Sequence, residues 1–456
     1  MRYISTRGHT INNSFVDVLM QGLAPDGGLF MPMSWPQLGS VSPSASYTDI
    51  ALQVIAPFVG DSLPQADLKR IISKTYTSDI FRDGEITPLR PIGHNTYLLE
   101  LFHGPTLAFK DIALQLLGNL FEEILEKSGQ TITIVGATSG DTGSAAIEAV
   151  RGRKNISITM LHPKGRTSDI QRRQMTSIQD DNVHNIAIEG TFDDCQNLVK
   201  GCFADTELRQ TKHISAVNSF NWARIIAQTV YYVVSAQRLG AAPLFAVPTG
   251  NFGNVLAAWV GKNMGANIGP LVIGSNRNDI LTRFFETGSM TMGDVTPSYS
   301  PSMDIQISSN FERYLYSLMG NDSAQLSRAM TDFKSHGSYT LPKDLLLKAR
   351  ADFTARRCSD DDTIATIRNL YQSTGIIIDP HTAVGLHALN TCGLSYDGPR
   401  VVTACADPAK FPDVVKAATG ITPQLPPHLA DLMDRPEKYQ VMANDFATLK
   451  KFVMTL

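Results

Sequence analysis

Alternation of short apolar runs with amphipathic ones is the feature that most constrains the fold of this chain. "TITIVGA" (Thr131–Ala137) has strand length and β-branched character, and "DTGSAAIEAVRGR" after it has helical spacing. The pattern recurs in "ISITMLHP" (Ile156–Pro163) with "TSDIQRRQMTSI", and in "VHNIAIEG" (Val183–Gly190) with "FDDCQNLVKGCF". A second series follows: a long helix in "FNWARIIAQTVYYVVSAQRLG" (Phe220–Gly240), a strand in "PLFAVPTG", a helix in "NVLAAWVGKNMG" and a strand in "GPLVIGSN". "GIIIDPHTAVGLHAL" (Gly375–Leu389) reads as strand, turn and helix, and "PRVVTACADPAKF" (Pro399–Phe411) as a strand with a polar turn. Strands and helices joined by short links predict parallel sheets covered by helices, the α/β class. The Ser-, Thr-, Pro- and Met-rich run Met290–Ser309 predicts a long loop. A length of 456 residues exceeds one ordinary core and predicts more than one domain.

Bulk properties exclude several functions. A formal net charge of -3 gives no general attraction for nucleic acid or an acidic membrane, so neither is expected as a partner. No apolar run has the length of a membrane span, and the polar "MRYISTRGHTINNSF" start lacks an export signal. Cys195, Cys202, Cys358, Cys392 and Cys405 form no CxxC pair, so a reducing, cytoplasmic setting without thiolate metal sites is expected. His381 and His387 lack a third ligand at metal spacing.

Lys110 in "LFHGPTLAFKD" sits in an apolar setting at the start of a helix whose stripe is Ile112, Ala113, Leu116, Leu117, Leu120, Ile124 and Leu125. Such a lysine reaches solvent, meets an acid or does chemistry. Desolvation lowers its pKa, and the neutral amine can form a Schiff base. Two glycine-rich turns, each between a predicted strand and helix, add anion sites. "VGATSGDTGSAA" (Val135–Ala146) offers Ser139, Thr142 and the amides near Asp141 to a carboxylate. "VPTGNFGNVLAAW" (Val247–Trp259) offers the amides of Gly250–Asn254 to a phosphate monoester. Neither is GxGxxG or a P-loop. A carboxylate site, a phosphate site and a buried lysine at the carboxyl ends of strands point to pyridoxal phosphate.

These motifs resemble the threonine synthase family, pyridoxal-phosphate enzymes of fold type II. The resemblance runs nearly the whole length, through "YISTRG", "LAPDGGLFMP", "FHGPTLAFKD", "GATSGDTGSAA", "NSFNWARI", "PTGNFGNV", "DPHTAVG" and "DPAKF". It implies a small and a large open-sheet domain with a mixed N-terminal region, the cofactor lying between the sheets. It implies conversion of O-phospho-L-homoserine and water to L-threonine and phosphate. Lys110 would be the Schiff-base lysine and acid/base. Gly250, Asn251, Phe252, Gly253 and Asn254 would hold the cofactor phosphate. Ser139, Asp141, Thr142, Asn218, Asn221 and Arg224 would meet the substrate. Lys164, Arg166 and Arg224 are candidates for the leaving phosphate.

The chain departs from the family near its end, where "TAHPAKF" becomes "CADPAKF". Cys405 stands where the family has the threonine that meets the pyridine nitrogen, with Thr403 beside it on the same face. Asp407 replaces a histidine; it either caps the turn before Pro408 or adds negative charge near the site. Alternatives are a threonine or serine dehydratase of the same fold, or a synthase-like protein that binds metabolite without turnover. The expected units are 1–95, packed against the C-terminal tail; 96–220, the cofactor and substrate region with the small mobile domain; 221–412, the large domain with the phosphate loop; and the tail 413–456. A monomer or homodimer is expected.

Overall fold

The computed structural model describes residues 1–138 and 140–456. Two open sheets dominate it. The smaller has the spatial order Gln440–Ala443, Val183–Glu189, Ile156–Pro163, Ile132–Ala137, Ile214–Ser215, all parallel. The larger has the order Phe353–Arg357, Leu271–Ser275, Leu244–Pro248, Arg400–Ala404, Thr96–Glu100, Leu89–Gly93, parallel except at the last, antiparallel edge. The inner strands Leu244–Pro248 and Leu271–Ser275 are buried at every residue. This is why they read as unbroken apolar runs: helices cover both faces of a parallel sheet. The fold is thus of the α/β class that the alternation predicts, with the two open sheets that the resemblance implies.

The chain starts the larger sheet, leaves it after Thr96–Glu100 to build the smaller one, and returns through the Trp222–Leu239 helix. That crossover puts the Lys110–Ser128 helix between the two sheets in sequence. Its carboxyl-terminal stop is Gly129 in the left-handed region, φ 69°, where a side chain would be strained.

The N-terminal region forms a three-stranded antiparallel sheet, with Tyr3–Ser5 between Ile11–Asn13 and Phe30–Pro32. Its Tyr47–Val59 helix starts at a capping box made by Ser46 and Asp49. Tyr3 and Phe58 pack edge-on to Trp222, with ring centroids 6.4 and 5.8 Å away. Arg7 makes a forked pair with Glu312, both bonds 2.8 Å, tying this region to the Phe311–Leu318 helix.

Two expectations change. The tail was expected on the N-terminal region, but it docks on the smaller sheet. Gln440–Ala443 extends that sheet beside Val183–Glu189, and Leu449 and Val453 join Ile188, Cys195, Cys202 and Leu208 in one apolar cluster. An unpaired parallel edge and an apolar helix face supply the sites it fills. Gly375–Asp379 forms no strand; Ile376 and Ile378 instead pack into the cluster beneath the Pro380–Thr391 helix. Their apolar character serves packing, which periodicity alone does not separate from strand pairing. The Met290–Ser309 run is largely irregular, with a strand at Ser289–Thr291 and a 3-10 turn at Pro301–Met303.

The helices that begin at Lys110 and Asp141 touch at Gly118, where an added Cβ would lie 2.2 Å from the Ala149 carbonyl oxygen. The neighbour is backbone and cannot rotate away. Gly118→Ala is therefore expected to lower unfolding free energy by about 1–3 kcal/mol through overpacking, outweighing a helix-propensity gain of about 1 kcal/mol. Urea unfolding checks this, and activity should fall with it because the first residues of both helices shift.

Candidate active site

The loop before Lys110 is sewn to the exit of the neighbouring strand Arg400–Ala404. Leu101 N donates to Ala404 O at 3.0 Å, Phe109 N to Cys405 O at 2.8 Å, and Asp407 N to Leu107 O at 3.1 Å. Leu107 lies in the left-handed region, φ 61°. Asp111 braces the turn by accepting from Thr106 N at 2.8 Å and Thr106 Oγ1 at 2.7 Å. Gly104 makes room for that carboxylate, since a Cβ there would lie 2.6 Å from Asp111 Oδ2.

So placed, Lys110 opens its helix buried, with 8% of its surface exposed. Its Nζ lies 3.1 Å from Asp141 Oδ2 and 3.4 Å from Ser302 Oγ. Burial lowers the Lys110 pKa; Asp141 opposes the shift, and Lys410 and Arg224 add to it. Asp141 Oδ1 accepts from Lys410 Nζ at 2.8 Å and Gln171 Nε2 at 2.9 Å, and Oδ2 accepts also from Ser302 Oγ at 2.9 Å. Burial would raise the Asp141 carboxyl, but Lys110 and Lys410 outweigh it and hold it well below the usual carboxylate range. Asp141, which the resemblance places at the substrate, is here the charge partner of two lysines. Thr142 is half-buried in the same first turn, and Ser139 lies outside the described residues.

Across the larger sheet, the Gly250–Asn254 turn forms a cradle. Its backbone N–H groups donate to no acceptor among the described residues. Its carbonyls face the other way: Gly250 O accepts from Ser308 Oγ at 2.7 Å, and Asn251 O from Asn310 N at 3.1 Å. Phe252 sits at φ 62°, turning the chain into the Gly253–Asn263 helix. Unpaired amides at a helix start make an anion site. Asn254 Oδ1 accepts from the hydroxyls of Tyr231 and Tyr232, leaving its Nδ2 directed at Cys405 Sγ, 3.9 Å away. Burial pushes the Cys405 thiol far up, so it stays neutral. Thr403 is fully buried, with Oγ1 4.0 Å from Cys405 Sγ. Asp407 caps the turn, accepting from Ala409 N at 2.8 Å.

The "NSFNWARI" residues divide. Asn221 is the cap of the Trp222–Leu239 helix: Oδ1 accepts from Ala223 N and Nδ2 donates to Leu19 O, so its polar atoms are spent on the fold. Asn218 makes a local turn with Phe220 N. Arg224, 3% exposed, has only a 3.5 Å contact to Val217 O; its Nε is unpartnered, and no carboxylate pairs with it among the described residues. Arg313 is as buried, but donates to Phe30 O, Phe220 O and Asn310 Oδ1. Lys164 and Arg166 are exposed, and Lys164 pairs with Glu189 outside the buried site.

Sequence reasoning missed Lys410 and Ser302. Lys410 stands between Ala409 and Phe411 in "DPAKF", the same apolar flanking that drew attention to Lys110. Ser302 lies in a polar loop and carries no such signal. Asp379 caps the Pro380–Thr391 helix and pairs with His381, and His103 bonds Glu100 in the loop before Lys110.

A buried lysine, its carboxylate and an amide cradle at strand ends fit a phosphate-bearing aldehyde cofactor. The family model described as "Pyridoxal-phosphate dependent enzyme" matches residues 82–407, which makes this a pyridoxal-phosphate-dependent enzyme of fold type II. Models for the threonine synthase N terminus and C-terminal part match residues 2–76 and 382–453. A threonine synthase from Pseudomonas aeruginosa is 47% identical, covering 99% of this chain and 98% of that relative. A solved pyridoxal-phosphate-bound threonine synthase from Brucella melitensis is 47% identical with TM-score 0.96, covering 100% of this chain and 99% of that one. The yeast threonine synthase structure is 38% identical with TM-score 0.92, covering 99% and 98%. The chain belongs to the threonine synthase family.

Burial raises the Asp111 carboxyl to about 6 from 3.8, against the bonds from Thr106. A raised folded-state pKa contributes stability that is complete below the unfolded value and lost as pH rises through the folded one. The size is about 3 kcal/mol. The difference in unfolding free energy between wild type and Asp111→Asn should fall by about that much between pH 4 and 7, as measured by denaturant unfolding at each pH.

Proposed function

We propose that this chain converts O-phospho-L-homoserine and water to L-threonine and phosphate. The observation that carries the reading is Arg224, a buried guanidinium with no carboxylate partner among the described residues, close enough to Lys110 to depress its pKa. Burial brings Arg224 down to about 10, so it remains charged at neutral pH. An uncompensated buried cation requires an anion. Arg224 lies in the first turn of the 18-residue Trp222–Leu239 helix, whose dipole adds to the attraction. A substrate phosphate supplies the missing charge.

Gly250–Asn254 would hold the cofactor phosphate, Lys110 would bind its aldehyde carbon, and Cys405 with Thr403 would face its ring nitrogen. Pyridoxal phosphate, when bound, supplies the electron sink that lets protons leave substrate carbon. Lys110 takes the proton from Cα and then from Cβ, and returns protons at Cγ and Cα. Burial, which lowers its pKa, favours the neutral amine that accepts those protons. Asp141 stays ionised and keeps the amine directed. Arg224 binds the phosphate as its charge grows on departure from Cγ. Water then adds at Cβ. A neutral thiol at Cys405 is a weak hydrogen-bonding partner and brings no charge to the ring nitrogen. Thr142 and Asn218 complete the proposed substrate contacts.

Matches at both ends of the chain to threonine synthase models weigh against a dehydratase of the same fold. No helix among the described residues is long and apolar enough to cross a membrane. We place the enzyme in the cytoplasm, as a monomer or homodimer.

With O-phospho-L-homoserine, the holoenzyme should release phosphate and threonine in equal amounts. Formation of 2-oxobutanoate with ammonia instead would overturn the assignment. Arg224→Gln removes a buried charge worth about 2–5 kcal/mol to its partner. Its kcat/KM is expected to fall roughly 10²–10³-fold, with the visible band of bound cofactor retained in absorption spectra.

A further inference from the structure

The segment from Ser298 to Asn310 touches two parts of the site that belong to different elements. At one end it ties off the amide cradle through Ser308 and Asn310. At the other, Ser302 Oγ donates to Asp141 Oδ2 and accepts from Lys110 Nζ. Gly250 permits this path, since a Cβ there would lie 3.0 Å from Met303 Cα. The segment is knotted by Asp304, which accepts from the side chains of Asn276, Asn278 and Ser298.

Ser302 is also anchored from behind. Its backbone N–H donates to His381 Nε2 at 3.3 Å, and His381 Nδ1 lies 2.9 Å from Asp379 Oδ1. Because Nε2 accepts, the network assigns the ring proton to Nδ1, donated to Asp379. His381 is 4% exposed and Asp379 fully buried. Asp379 Oδ2 takes the Thr382 hydroxyl, whose oxygen accepts from Cys405 N at 3.1 Å. One chain of bonds thus runs from Cys405 through Thr382, Asp379, His381 and Ser302 to Lys110.

We propose that Ser302 is a positioning residue of the reaction, its hydroxyl holding the Lys110 nitrogen in line while His381 and Asp379 hold Ser302. The proposal rests on Lys110 as the proton-transferring group. A lysine amine rotates freely on a flexible stem. Asp141 alone fixes one direction; Ser302 supplies a second acceptor and fixes the remaining rotation. Proton transfer at several substrate carbons depends on that alignment. The hydroxyl also accepts a hydrogen bond from the protonated nitrogen, so its removal disfavours the protonated form.

The test compares holoenzyme carrying Ser302→Ala, Ser302→Thr or His381→Phe with wild type, by steady-state kinetics and by pH titration of the visible absorption band. Ser302→Ala should lower kcat roughly 10- to 100-fold with KM changed less than about threefold. The titration midpoint should move down by about 0.5–1 pH unit. His381→Phe should move both readouts the same way, and Ser302→Thr, which keeps a hydroxyl, should restore them. Wild-type kcat and midpoint in Ser302→Ala would overturn the proposal. A fall in kcat and thermal stability without a midpoint shift would also overturn it, since a structural role does that. Should wild type form no threonine, the functional reading fails, while the midpoint shift still decides the role of Ser302.

Discussion

The carboxylate of Asp141, set between two lysine amines, is the interaction on which the site depends. It accepts from Lys110, Lys410 and Gln171, which are buried, and from Ser302, which is partly so. A buried charge is tolerated only when it is paired and hydrogen-bonded. Asp141 and Gln171 come from helices of the smaller sheet; Lys110 follows a strand of the larger one, and Lys410 follows its neighbour. The same contact therefore joins the two sheets and aims the reactive amine. Removing the carboxylate would leave two ammonium groups facing each other without compensation.

Charge balance around that contact accords with the proposed binding of phosphate. Lys110, Lys410 and Arg224 are buried near one another, and Asp141 answers only part of their charge. The amide cradle at Gly250–Asn254 adds donors without adding a residue charge. Two anions can be accommodated at different places, one by backbone amides and one by a guanidinium at a helix start. The division agrees with a cofactor and a substrate that each carry a phosphate.

Much of this was legible in the chain. The strands Ile132–Ala137, Ile156–Pro163, Val183–Glu189 and Leu244–Pro248 fall where their apolar runs predict, because a strand buried on both faces needs apolar residues throughout. The Gly250–Asn254 turn was legible because close backbone approach demands glycine. The capping role of Asn221 was not legible, because a helix cap and a ligand use the same amide chemistry and only the partner tells them apart. Lys410 and Ser302 were missed for a related reason: each acts through a neighbour more than a hundred residues away in sequence. Asp407, which could have placed a charge in the site, caps its own turn.

By itself, the sequence determined the α/β class, the order of strands and helices, the amide turn and the burial of Lys110. These follow from periodicity and local backbone preference, which act over a few residues. Tertiary structure decided the charge partners. It assigned Asp141 to two lysines, left Arg224 with no carboxylate among the described residues, brought Ser302 to Lys110 and carried the tail to the smaller sheet. Pairing of charges and docking of edges act through space, between residues that only the packed fold makes neighbours.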